Sequence, residues 1–160
     1  MSSAVRAGVH AGTLLAATGV AALLTGRPFL FPSLGPSAYL LATAPKAPAS
    51  QPRTVLAGHA VGVVAGLLAS GLIAPGLVVI EPTPAFSSAT FRLAASAVVS
   101  VALTTGGMVL TGREHAPACA TTLIVALGLL PSPTDGAIIL AAVALLLAVD
   151  ALLGRSGLRA

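Results

Sequence analysis

The sequence predicts an all-α polytopic membrane protein with about six transmembrane segments, arranged as two inverted repeats of three. The second segment of each repeat is broken into an extended stretch and a short helix. Three observations predict this. The 160 residues are 56% hydrophobic and only 8% charged, where a soluble domain carries roughly 25% charged residues. The apolar residues fall into long runs separated by Pro- and Gly-containing breaks. The tetrapeptide Leu24-Thr25-Gly26-Arg27 recurs 86 residues later as Leu110-Thr111-Gly112-Arg113.

The first run covers residues 5–25, long enough to span at about 20 residues, and stops at Gly26-Arg27-Pro28. The second piece is interrupted by Pro32, Gly35 and Pro36. Pro36 suits a first helical turn, where a missing N–H is no loss, so a short helix is expected over 36–44. A Pro-rich loop with Lys46 leads to the third run, 53–74, on which Gly58, Gly62 and Gly66 form a small-residue stripe suited to close helix approach. Residues 77–88, with Glu81, Pro82 and Pro84, form the longest connection. The fourth run is 92–110. The fifth, 118–130, is short for an untilted span. The sixth, 136–153, follows a turn in which Thr134 or Asp135 is the expected helix cap.

The repeat places residues 1–76 in one half and 89–160 in the other, joined by 77–88, all within one membrane domain. Charge supports six crossings. If the broken segments cross, Arg6, Lys46, Arg53, Arg113, Arg155 and Arg159 share one side, and Arg27 and Arg92 the other. If they only dip in, the eight basic residues divide evenly. The uneven division fits the positive-inside tendency and puts both termini in the cytoplasm, in a multi-pass protein of the cell membrane.

Composition also excludes functions. The basic residues are scattered, without the clusters or aromatic platforms of nucleic-acid binders. Four acidic residues and one cysteine form no recognisable triad, metal set or nucleotide loop, so no enzyme, cofactor or metal is expected. The chemistry points to a small anion. A short helix starting inside the membrane exposes unpaired N–H groups and a partial positive charge. Ser33, Gly35 and Ser37 surround the first such start; His115, Cys119 and Thr121 surround the second. His59, on the glycine stripe, is a further candidate because an intramembrane histidine is expensive. Outside this set, His10 reads as interfacial, Arg92 as snorkelling to headgroups, and Asp150 as a partner of the C-terminal arginines. Cys119 also reads as a small packing residue.

Phe31-Pro32-Ser33-Leu34-Gly35-Pro36-Ser37-Ala38-Tyr39, Ala44-Pro45, Gln51-Pro52-Arg53, Gly58-His59 and His115-Ala116-Pro117-Ala118 followed by Ala120-Thr121-Thr122 resemble the HPP family of small integral membrane proteins. The resemblance covers nearly the whole chain. The family's His-Pro-Pro motif corresponds to His115-Ala116-Pro117, without the middle proline. The resemblance implies a protein described with four spanning helices, and it implies nitrite, whose transport is linked to some members. The expected function is therefore a transporter or channel for a small inorganic anion, most simply nitrite, in a lipid bilayer and as a homo-oligomer, taken as a dimer. The competing expectation is a non-transporting scaffold or subunit of a larger membrane complex, with the glycine stripe as its oligomer contact.

Overall fold

The computed structural model describes residues 2–155. Among these, six α-helices and one 3-10 turn account for the regular structure, with no strand. The helices are α1 (Ser3–Thr25), α2 (Leu34–Thr43), α3 (Pro52–Ile73), α4 (Ser88–Thr111), α5 (Ala118–Ala126) and α6 (Pro133–Arg155). The 3-10 turn, Pro48–Ser50, leads into α3. Helices α1, α3, α4 and α6 are each long and apolar enough to cross a membrane. At 10 and 9 residues, α2 and α5 reach only about 15 Å each, half the hydrocarbon thickness.

Local chemistry sets the boundaries. Ser2 and Ser87 cap α1 and α4, accepting from the amides of Val5 and Thr90. Capping by Ser87 moves the start of α4 upstream of the expected residue 92. Gly26 and Gly112 end the same helices at φ 63° and 62°, a left-handed turn that glycine adopts without a Cβ clash. The Thr-Gly-Arg match is thus a repeated helix stop. At α6 the expected cap is corrected. Ser132 caps the helix: its Oγ accepts from the Asp135 amide at 3.1 Å, while Asp135 Oδ2 accepts from the Ser132 amide at 3.1 Å. This reciprocal box, with Pro133 in the first helical position, starts the helix three residues early.

Two short-helix boundaries also move. Helix α2 begins at Leu34, two residues before Pro36; the proline still lies in the first turn, where it loses no bond. Helix α5 stops at Ala126 rather than continuing to residue 130. Gly128, at φ 79°, lies against the backbone of Leu77, and the Val79 amide donates to Leu127 O at 3.0 Å. That backbone contact diverts the chain from a helical path.

The glycine stripe is used inside the chain. A Cβ on Gly58 would lie 2.9 Å from the His115 Cβ, on Gly62 2.7 Å from Ala118 O, and on Gly66 2.6 Å from the Val125 Cβ. The stripe is therefore the seat of α5, the close helix approach expected of it, made within the chain. The order of these contacts makes α5 run alongside α3 in the same direction. Helix α4 runs the opposite way, with Arg92 beside Ile73 and Met108 beside Gly58. Arg92 Nε donates to Ile73 O at 2.7 Å, so this side chain closes the end of α3 rather than snorkelling.

Helix α1 packs on α2 and α6, while α3 packs on α4, α5 and α6. Leu14, Leu34, Leu41, Val55, Ile139 and Leu146 are wholly buried where these helices meet. His10, expected at the interface with lipid headgroups, is buried at 3% exposure, and its Nε2 lies 2.9 Å from Asp150 Oδ1. An acceptor on α6 draws it inward. Of the arginines expected near Asp150, Arg159 lies outside the described residues.

Candidate functional site

The polar interior begins at the glycine stripe. Because Gly58, Gly62 and Gly66 bring α5 against α3, His59 on α3 comes within reach of side chains at the start of α5. Helix α2 approaches from the other side. Ser33, Ser37, His59, His115 and Thr121 meet there, each at most 1% exposed. Ser33 Oγ lies 2.7 Å from Thr121 Oγ1. Thr121 Oγ1 lies 2.7 Å from His59 Nδ1. His59 Nε2 lies 3.1 Å, and His115 Nε2 3.0 Å, from Ser37 Oγ. The imidazole centroids are 5.0 Å apart.

The proton positions follow from one anchor. His115 Nδ1 lies 2.8 Å from the carbonyl of Ala49, which can only accept, so Nδ1 carries a hydrogen. In neutral His115, Nε2 accepts from the Ser37 hydroxyl. Ser37 Oγ then accepts from His59 Nε2–H, His59 Nδ1 accepts from Thr121, and Thr121 accepts from Ser33. Each hydroxyl donates once, giving a directed chain from Ser33 to Ala49. The Ser37 hydroxyl also has the Ser33 carbonyl at 3.0 Å. Turned there, it frees Ser37 Oγ to accept from a protonated His115. The same side chains thus accommodate both charge states of His115.

A family model for the HPP transmembrane region matches residues 1–156. The chain belongs to the HPP family. No curated protein and no solved structure matches it. Membership and the four long apolar helices make this a multi-pass membrane protein. In this HPP chain, His115 is a buried member of the network, and Pro117 occupies the position just before α5 at φ −58°. Ala116 stands where the family motif has its middle proline, and it is exposed.

Of the seven residues singled out in the sequence, the fold unites five. Gly35 is half-buried with open space around its α-carbon. Cys119 is half-buried, its Sγ 4.0 Å from Thr105 Oγ1, and makes no hydrogen bond with the network. One helical position from Ala118 to Cys119 turns the side chain from α3 toward α4.

The sequence reading missed a second polar crosslink. Thr122 Oγ1 donates to Gly62 O at 2.6 Å and is also bonded to Thr104 Oγ1 on α4. Its sequence signal was the same as that of Thr121, a hydroxyl on a short apolar helix; the partners on α3 and α4 had none. The Ala49 carbonyl had no signal, because every residue has one.

Proposed function

We propose that this HPP-family protein is a transporter or channel for a small inorganic anion, nitrite being the leading substrate, which passes between the starts of α2 and α5. The carrying observation is the cluster of three hydroxyls and two imidazoles buried among apolar helices. Polar groups are costly in a hydrocarbon setting and concentrate where a membrane protein handles polar cargo. Four of the five sit at the starts of α2 and α5, where the helix dipole also favours negative charge, and His59 reaches them from within α3. Imidazole and hydroxyl N–H and O–H groups can replace part of an anion's hydration shell. Nitrite rests on the family's link to its transport.

Every fully buried polar side-chain atom among the described residues has a partner. An incoming anion must therefore take the place of existing hydrogen bonds, most directly those of Ser37. This arrangement is read as an occluded conformation, with access to either face requiring the halves to move.

The inverted repeat belongs to the same reading. His10, Leu14 and Thr18 are buried on α1, and Ser96, Ser100 and Thr104 are buried on α4, each 86 residues later. The buried Leu34, Ser37, Ala38, Leu41 and Ala42 of α2 correspond to Ala118, Thr121, Thr122, Val125 and Ala126 of α5 at a constant offset of 84. Contacts support a crossing by the α5 segment: Arg113 shares a cleft with the start of α3, and Gly128 touches Leu77 beyond its end. By the same logic the segment carrying α2 returns beside α1, since Leu30 reaches Gly19 and Thr43 lines a cleft with Ser3 and Arg6.

The test is nitrite flux into proteoliposomes of purified protein, with chloride, nitrate and formate as competitors. Saturable flux best competed by nitrite is expected. His115→Gln and His59→Gln are expected to lower it about tenfold or more, equivalent to losing one strong contact in the rate-limiting state. No saturable flux of any of the four anions through folded protein would overturn the reading and favour the scaffold alternative.

A further inference from the structure

A second polar site lies outside the histidine network. A cleft of about 600 Å³ opens between the start of α3 and the end of α4, lined among others by Gln51, Arg53, Thr54, Gly112 and Arg113. Four features converge on it. Arg53 and Arg113 both belong to its wall, and both are exposed. Helix α3 starts there, and Gln51 offers no side-chain cap. The first α3 amide to find a backbone acceptor is that of Val55, bonded to Gln51 O at 2.9 Å; among the described residues the amides of Arg53 and Thr54 donate to no carbonyl. Finally, Thr54 is only 7% exposed yet lines the cleft, and no hydrogen bond among the described residues engages its hydroxyl.

Across the cleft the amides at the end of α4 are engaged, while Gly112 O accepts no backbone hydrogen bond among the described residues. The end of α4 closes on itself, with Arg113 N donating to Met108 O at 3.0 Å and Gly112 N to Val109 O at 3.1 Å. The unengaged donors on the lining residues are the Arg53 and Arg113 side chains, the Thr54 hydroxyl and the amides of Arg53 and Thr54, at the positive end of the 22-residue α3; they outnumber the Gly112 carbonyl opposite. Glu114 is the acidic neighbour; it is exposed and does not line the cleft.

We propose that this cleft is an oxyanion-binding site, distinct from the buried histidine network and formed by Arg53, Arg113, the Thr54 hydroxyl and the free amides of the first turn of α3. The ligand chemistry is a small negatively charged oxygen cluster, supplied either by a free inorganic anion or by the phosphate of an anionic lipid. The site also has a position relative to the network. Ala49, whose carbonyl holds His115, lies within the turn that leads into this end of α3. The cleft and the anchor of His115 thus share the turn Pro48–Ser50, whose Pro48 lines the cleft.

The test separates the two sources. Nitrite and inorganic phosphate are titrated calorimetrically into lipid-free protein in neutral detergent, and retention of phosphatidylglycerol is read by native mass spectrometry. The variants are Arg53→Gln/Arg113→Gln, Thr54→Val and His115→Gln, each checked for folding by its melting curve. Binding of at least one probe to wild type is expected, weakened more than tenfold by the double arginine variant and about fivefold by Thr54→Val. A response to free anion assigns the site to small anions; a response confined to phosphatidylglycerol assigns it to lipid. His115→Gln is expected to retain this binding even if it abolishes flux, which keeps the cleft separable from the transport reading. Binding of neither probe to wild type would overturn the proposal. So would equal binding to wild type and the double arginine variant, or loss of binding in His115→Gln alone.

Discussion

Thr121 and Ser37 hold the network together from opposite sides. Thr121 serves both Ser33 and His59; Ser37 serves both histidines. Thr121→Val keeps the shape but leaves a buried imidazole nitrogen and a buried hydroxyl without their partner. A stability loss of about 1–3 kcal/mol is expected, measured by reversible denaturation in micelles. Ser37→Ala strips a partner from both imidazoles, so its loss is expected to equal or exceed that of Thr121→Val; a smaller loss would show that Ser37 is not the junction. His10 and Asp150 make a separate pair between α1 and α6. A double-mutant cycle with His10→Leu and Asp150→Leu is expected to give a coupling energy of about 0.5–3 kcal/mol. Additive losses would mean the two residues act independently.

At the scale of elements, the α3–α5 contact has the least slack. Lipid gives helices no hydrophobic drive to associate, so close packing has to do it. Three glycines in register leave α5 almost on the α3 backbone. Gly66→Val is expected to push Val125 away and destabilise the protein by about 1–3 kcal/mol, lowering its melting temperature in detergent. Gly71→Ala lies on the same helix with nothing within 4 Å of the new methyl group. It is expected to be neutral or stabilising by about 0.5–1 kcal/mol through helix propensity. Equal effects from the two would mean that backbone flexibility, not proximity, explains the glycines.

At the scale of the whole molecule, the question is how many times the chain crosses. If the segments carrying α2 and α5 cross, residue 81 faces the side opposite the N-terminus; if they only dip in, both lie on one side. In a Cys119→Ala background, Glu81→Cys and Ser3→Cys are expected to react with an impermeant maleimide from opposite faces of sealed vesicles. Labelling from the same face would remove the six-crossing topology and with it the inverted repeat.

The sequence by itself determined the solvent and the material. Low charge, long apolar runs and Pro/Gly punctuation mark a helical membrane protein, because composition and spacing alone decide what can survive in hydrocarbon. Gly26 and Gly112 were legible as helix stops for the same local reason. Ser33, Ser37, His115 and Thr121 were legible as rare polar residues near helix starts, and His59 as a histidine on the glycine stripe. What distinguishes Cys119 from Thr121, or Gly35 from Ser37, was not legible, since each choice depends on the rotation of a short helix against its neighbours. Only the tertiary structure decided that His10 turns inward to α6, that Arg92 closes α3, that the glycine stripe seats α5, and that Arg53 and Arg113 share a cleft. Each of these joins residues far apart in the chain, and sequence spacing carries no information about which helix faces will meet.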